Sequence, residues 1–194
     1  AANWPSHLTV AVNVSPEQFK DGSLMTDIHN ALELASFPAY RLEIEITEST
    51  MMADAEIVLS QLQAMRELGC AIVLDDFGTG YSSLSYLYKF PFSKLKIDRS
   101  LVQAMEEKAR VRGMLTSIMS LSRNLGLKVT AEGIETENQA LMIQDMGCDY
   151  IQGYLTGKPM RAVDIPAMIM TRFTTKLKAR LAPQPMPMAP SLKY

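Results

Sequence analysis

The chain has 194 residues, enough for one domain of ordinary size, and its 47% hydrophobic and 21% charged residues suit a packed globular protein rather than a disordered one. With 19 Lys+Arg against 21 Asp+Glu the formal net charge is -2, which excludes the broad basic face that binds a nucleic-acid polymer. No apolar run approaches the roughly 18 residues of a membrane helix, no signal peptide is visible at Ala1-Ala2-Asn3-Trp4-Pro5, and two cysteines build no disulfide framework.

In chain order, residues 8–14 predict a first strand, rich in Val and Leu. Ser15-Pro16-Glu17-Gln18 then has the form of a helix start: a hydroxyl N-cap, proline at the first helical position and Gln three residues after the cap. Strands at 41–47 and 71–76 flank a helix that carries Val58, Leu59, Leu62 and Met65 on one face and stops at Gly69. A strand at 93–98 precedes the longest helix, with Val111, Met114, Leu115, Ile118 and Leu125 at helical spacing and Gly126 beyond. A strand at 128–132, a helix near 137–146 and a strand at 149–154 complete the series. Leu68-Gly69-Cys70 and Met146-Gly147-Cys148 echo each other at two helix-to-strand junctions. The segment holding Arg172, Lys176, Lys178 and Arg180 predicts a solvated helix face, and its proline content makes 182–194 an extended, flexible tail after a domain over 1–181.

Strand–helix alternation predicts an α/β fold of parallel strands with helical crossovers, either an open doubly wound sheet or a (β/α) barrel. Six strands fall short of the barrel's eight, and the chain is short of its roughly 250 residues. Side-chain parity favours the barrel nonetheless. Leu42, Ile44 and Ile46 share one face of their strand and Glu43, Glu45 and Thr47 the other; Leu95 and Ile97 oppose Lys94, Lys96 and Asp98; Val129 and Ala131 oppose Thr130 and Glu132. An open sheet would press the polar faces against helices, where unpaired charge is costly, whereas a barrel turns them all towards one axis.

Every predicted strand ends in polar groups: Asn13; Glu45 with Glu48; Asp75-Asp76; Lys96 with Asp98; Glu132 with Glu135; and Gln152. In parallel α/β folds that rim is where ligands bind. Glu45, Asp75, Asp76 and Glu132 crowded together would repel one another unless a cation joined them. The donors are all oxygens, and His7 and His29 lie away from the rim, which points to Mg²⁺ or Mn²⁺ rather than zinc. Two such ions about 3.5–4 Å apart suit phosphodiester hydrolysis, with Lys96 able to hold the attacking water or a phosphate oxygen. Singly, these residues have plainer explanations: Lys96 with Asp98 as a surface pair, Asp75-Asp76 as a turn before Gly78. The fourteen methionines are core filler, and Cys70 and Cys148 are inert small residues.

Six motifs then occur in register: Val12-Asn13-Val14-Ser15, Glu45-Ile46-Thr47-Glu48-Ser49, Asp75-Asp76-Phe77-Gly78-Thr79-Gly80-Tyr81-Ser82-Ser83, Lys96-Ile97-Asp98, Ala131-Glu132-Gly133-Ile134-Glu135-Thr136 and Gln152-Gly153-Tyr154. Over about residues 9–159 the chain resembles the EAL domain, the bacterial cyclic di-GMP phosphodiesterase. The resemblance implies a modified TIM barrel that hydrolyses cyclic di-GMP to linear pGpG with two Mg²⁺ or Mn²⁺ ions. It implies Asn13, Glu45, Asp75, Asp76 and Glu132 as metal ligands, with Asp75 shared between the ions. Lys96 would sit on the catalytic water, giving Lys96, Glu132 and Asp75 the catalytic roles, and Gln152 would hold a metal-bound water or ligand. Glu48 would anchor the loop after Asp76, which often lies near a homodimer interface in the family, and Asp98 and Glu135 would support the rim.

Leu101 and Lys158 depart mildly from the family pattern, and the naming Glu-Ala-Leu motif belongs upstream of residue 1. With that motif go about two strands, so the barrel is expected to be N-terminally incomplete, with about six of eight strands present. The chain, which lacks an initial Met, is expected to be cut from a longer protein with an upstream sensor, cytoplasmic unless that parent is membrane-tethered. The fragment alone is expected to turn over slowly or not at all. A cyclic di-GMP receptor without catalysis and a partner-binding module are the competing expectations.

Overall fold

The computed structural model describes residues 4–78 and 84–170. Residues 79–83 of the loop after Asp76, the basic segment from Arg172 to Arg180 and the proline-rich 182–194 lie outside the described residues, as does the boundary expected at 181.

The elements follow in the order β1 (Val10–Asn13), α1 (Pro16–Asp21), α2 (Leu24–Ala35), β2 (Leu42–Thr47), α3 (Glu48–Ala53), α4 (Ala55–Leu68), β3 (Ala71–Phe77), α5 (Leu84–Lys89), β4 (Lys94–Ile97), α6 (Arg99–Met105), α7 (Ala109–Asn124), β5 (Lys128–Ala131), α8 (Glu137–Asp145) and β6 (Tyr150–Ile151). All six expected strands form. The first is trimmed because the Leu8 N–H bonds to the Pro5 carbonyl, 3.0 Å away, and not to β2. The last is trimmed at Gly153, whose backbone lies so close to that of Ile134 that a Cβ would overlap it. The helix start at Ser15 also forms, with the Ser15 N–H donating to Gln18 Oε1 at 2.9 Å. Helices α3, α5 and α6 have only six or seven residues. Fewer than two turns leave no readable periodicity, so the sequence pattern does not announce them.

The strands are all parallel and run β1-β2-β3-β4-β5-β6 across the sheet. A doubly wound sheet reverses its strand order at a switch point; this one never does. Because parallel crossovers are right-handed, an unreversed order stacks every helix on one face, and the sheet curls with its bare face inward as a half-barrel. Among the described residues β1 and β6 each have a single strand neighbour.

The core lies between sheet and helices. Ile44, Ile46, Ile72, Leu74 and Leu95 join Phe19, Leu62 and Met65 in one buried cluster; Ile97, Val129 and Ala131 join Val102, Met105, Leu115 and Ile143 in a second. The opposite face is buried as well but polar: Glu43, Glu45, Asp75, Lys96 and Thr130 are all under 9% exposed. The parity of the sequence pattern is therefore the inside and outside of a curled sheet. Residues 159–170 form a separate unit, containing a short 3₁₀ turn at Ala162–Asp164.

Candidate active site

Four strand ends supply the centre. Lys96, on β4, is 6% exposed; its Nζ donates to Glu45 Oε2 of β2 at 2.9 Å and forms ion pairs with Asp75 Oδ1 of β3 at 3.0 Å and Glu132 Oε1, just after β5, at 2.8 Å. One ammonium thus faces three carboxylates. Burial works against the charge on Lys96, but the bonds to Glu132 and Glu45 outweigh it and hold the ammonium well above its ordinary pKa. Burial likewise pushes the Glu45 and Glu132 carboxyls up, against the pull of Lys96, and Asp75 adds repulsion to both.

Asp75 and Asp76 reach the cluster together through a fault in the ladder. Leu74 pairs with Leu95, yet Phe77 pairs with Ile97, so two aspartates stand opposite the single Lys96. Neighbouring strand residues normally point to opposite faces; a bulge suspends that rule by inserting one extra residue. Asp76 takes φ +54°, a left-handed conformation uncommon outside glycine, and its N–H donates to Asp75 Oδ1 at 3.0 Å. Phe77 returns to the helix side, 5% exposed. As a result oxygen atoms of Asp75, Asp76 and Glu132 can lie within 4.8 Å of one another. Burial raises the Asp76 pKa, and repulsion from Asp75 and Asp98 adds to it.

The other expected residues lie at strand ends and in the turns and helix starts that follow them. Asn13 ends β1 in register with Glu45. Glu48 opens α3 and its Oε1 accepts from the Gly78 N–H at 3.4 Å, at the start of the loop it was expected to anchor. Asp98 is the N-cap of α6: its Oδ1 accepts from the Ser100 N–H at 2.9 Å, and these bonds outweigh burial to hold its pKa low. Gln152 follows β6, with its backbone carbonyl accepting from Ile134 N–H at 3.0 Å. Glu135 lies in the turn before α8, where its N–H bonds to Gln139 Oε1 at 2.8 Å. Cys70 is fully buried, and Cys148 is partly buried with its thiol against the Tyr150 carbonyl, 3.2 Å away. His29 lies on α2, 3.3 Å from Glu33, and so is away from the rim as expected.

A second layer beneath the centre was not singled out in the sequence. Lys94 binds both oxygens of Glu43 at 2.7 Å and lies 5.0 Å from the Tyr150 ring centroid. The repeat of Glu43/Glu45 against Lys94/Lys96, two residues apart on non-adjacent strands, was the available signal. Both Glu–Lys pairs, Glu43–Lys94 and Glu45–Lys96, line a cavity of about 420 Å³ with Thr130, Gln152 and His7, so His7, expected away from the rim, borders the same space as Glu45 and Lys96.

Residues 1–159 match the model of the EAL domain. The chain belongs to the EAL domain family. It is 40% identical over 168 residues to the bifunctional diguanylate cyclase/cyclic di-GMP phosphodiesterase MucR of Pseudomonas aeruginosa, covering 87% of this chain and 24% of MucR. A solved structure described as the PaMucR phosphodiesterase in complex with c-di-GMP superposes with a TM-score of 0.77 at 41% identity, over 81% of this chain and 64% of that one. Klebsiella pneumoniae BlrP1, solved as a manganese/cy-diGMP complex, superposes with a TM-score of 0.72 at 29% identity, over 76% of this chain and 38% of that one. This EAL chain thus spans about a quarter of the length of MucR. No helix among the described residues is long and apolar enough to cross a membrane.

Proposed function

We propose that the EAL chain carries a site for hydrolysing cyclic di-GMP to linear pGpG, with two Mg²⁺ or Mn²⁺ ions as cofactors. The observation that carries the reading is the convergence of Glu45, Asp75 and Glu132 on one buried lysine, with Asp76 brought alongside by the bulge. Solved relatives described as c-di-GMP complexes support the substrate class.

The residues fit a divalent cation. Asp75, Asp76 and Glu132 offer oxygen donors close enough to share one ion, and the upward displacement of the Glu132 and Asp76 pKa values marks carboxylates held where negative charge is costly. Asp75, Asp76, Glu132, Glu45 and Asn13 would hold the ions, Asp75 between them. A bound divalent ion would supply counter-charge and polarise the phosphodiester. Lys96 is no general base, because its carboxylate partners keep it protonated; it acts as a fixed cation. Its ammonium is shared among Glu45, Asp75 and Glu132 and would hold the attacking water or a phosphate oxygen beside them. Hydrolysis adds one water across one P–O3′ bond: its oxygen goes to phosphorus, one proton to the departing 3′ oxygen. Gln152 would orient the dinucleotide, and Glu48 would tie the loop after Asp76 to the rim. In this reading the chain is one module of a longer cytoplasmic signalling protein, with a sensor upstream and a homodimer contact through that loop.

The test is product chromatography after incubation with cyclic di-GMP and Mn²⁺. It is run on the chain alone, where slow turnover is expected, and on a fusion placing a Glu-Ala-Leu-bearing segment ahead of Ala1. The reading predicts pGpG from the fusion and none after Asp75→Asn. Tight binding without pGpG in either form establishes a receptor instead.

A further inference from the structure

The structure assigns Gln139 to the reaction as a positioning residue: through Glu106 it locks the turn carrying Glu132 to the helix that follows Lys96. This rests on the hydrolytic role proposed for Glu132. Gln139 lies in the first turn of α8, seven residues after Glu132, and is 5% exposed. Its Oε1 accepts two backbone N–H groups, from Glu135 at 2.8 Å and Thr136 at 3.2 Å. Its Nε2 donates to Glu106 Oε2 at 2.8 Å. The other Glu106 oxygen accepts from Asn138 Nδ2 at 3.2 Å, and Arg112 Nη1 holds the adjoining carbonyls of Met105 and Glu106 at 2.7 and 3.4 Å.

The connectivity gives these bonds their meaning. Glu106 follows α6, which begins at Arg99, three residues after Lys96. Gln139 follows the turn 132–136, whose first residue pairs with Lys96. One amide therefore joins the two βα units whose strand tips form the Lys96–Glu132 pair. The turn is otherwise held by backbone: Glu132 N–H to the Ile97 carbonyl, Ile134 N–H to that of Gln152, and Leu155 N–H to that of Ile134, all at 3.0 Å. Gly133, at φ +67°, packs so tightly on Arg99 that a Cβ would collide with its side chain. Among the described residues, the side-chain hydrogen bonds to the N–H groups of Glu135 and Thr136 come from Gln139.

A plainer role exists. Gln139 is also the third residue of a capping box, with the Thr136 Oγ1 accepting from the Gln139 N–H at 3.2 Å. Glutamate serves that position as well as glutamine does. Gln139→Glu therefore keeps the cap and acceptor but removes the donor, setting a carboxylate against that of Glu106. The swap Glu106→Gln with Gln139→Glu restores a donor–acceptor pair in the opposite sense.

Both variants are compared with the wild-type chain by amide exchange at Glu135 and Thr136, and in the fusion described above by kcat and KM for cyclic di-GMP. Gln139→Glu is expected to speed exchange roughly threefold to tenfold, the worth of one hydrogen bond. It is expected to lower kcat roughly tenfold with KM little changed, since small misplacements of a reacting group are costly. The swapped pair is expected to recover both. Wild-type exchange and kcat in Gln139→Glu, or no recovery in the swap, overturns the assignment. If the wild-type fusion cleaves nothing, the proposed function falls, while the exchange data decide the brace on their own.

Discussion

Lys96→Met is the most informative single change. It preserves length and apolar bulk while deleting the ammonium that bonds Glu45, Asp75 and Glu132 at 2.8–3.0 Å. Removing one partner of a buried ion pair typically costs about 3–5 kcal/mol, because the remaining charge is stranded. Here three carboxylates are stranded, but Glu132 retains 18% side-chain exposure, and partial protonation offsets some of the loss, so the single-pair range is the right scale. For a chain of this size each kcal/mol moves Tm by about 2–4 °C, which gives a drop of roughly 6–20 °C at neutral pH without divalent ions. The same change should tighten Mn²⁺ binding, since a positive charge 3.0 Å from Asp75 no longer competes for the carboxylates. Saturating Mn²⁺, at a hundred times its Kd, returns about 2.7 kcal/mol. Calorimetric melting with and without Mn²⁺ reads both effects. A Tm within about 2 °C of wild type would refute the stranded-charge reasoning, as would weaker Mn²⁺ binding in the variant.

Asp75→Asn keeps volume and removes charge, so it should abolish metal-supported hydrolysis while the far-ultraviolet circular dichroism stays native; retained turnover contradicts the role of Asp75. Gly153→Ala forces a Cβ onto the Ile134 backbone and should cost roughly 1–3 kcal/mol by overpacking, read as a lower urea midpoint with unchanged slope. The folded-state pKa values of Glu45, Glu132 and Asp76 are raised chiefly by burial. Such groups bind more protons folded than unfolded, so in EDTA their contribution to stability should fall as pH rises from their ordinary carboxylate values through the raised ones; Mn²⁺ should flatten that slope, and an upward slope for this contribution, isolated by the three Gln/Asn variants, contradicts the burial argument.

The strand framework was legible because burial on both faces of a parallel sheet imposes two sequence signals at once: apolar residues towards the helices and paired charges towards the axis. Glu45, Lys96 and Glu132 follow from that parity alone. Asp76 does not, since strict alternation sends it away from Asp75; only the bulge opposite Lys96 brings both into one cluster. The lower pair Glu43–Lys94 was present in the alternation but lacked a motif to draw attention to it. Gln139 and Glu106 were invisible for a different reason: 33 residues separate them, and the contact exists only because two successive βα units pack side by side. Short helices such as α6 fell below the length at which periodicity can be read.

The central claim is that the inward carboxylates of three strand ends, gathered around Lys96, form a divalent-metal site facing cyclic di-GMP. Anomalous diffraction from crystals of the Glu-Ala-Leu-bearing fusion soaked with MnCl₂ and cyclic di-GMP tests it most directly. The account predicts manganese peaks within bonding distance of Asp75, Asp76 and Glu132, with a phosphate of the dinucleotide beside them. Manganese bound elsewhere, or ordered dinucleotide with these carboxylates still closed on Lys96 and no metal among them, contradicts it.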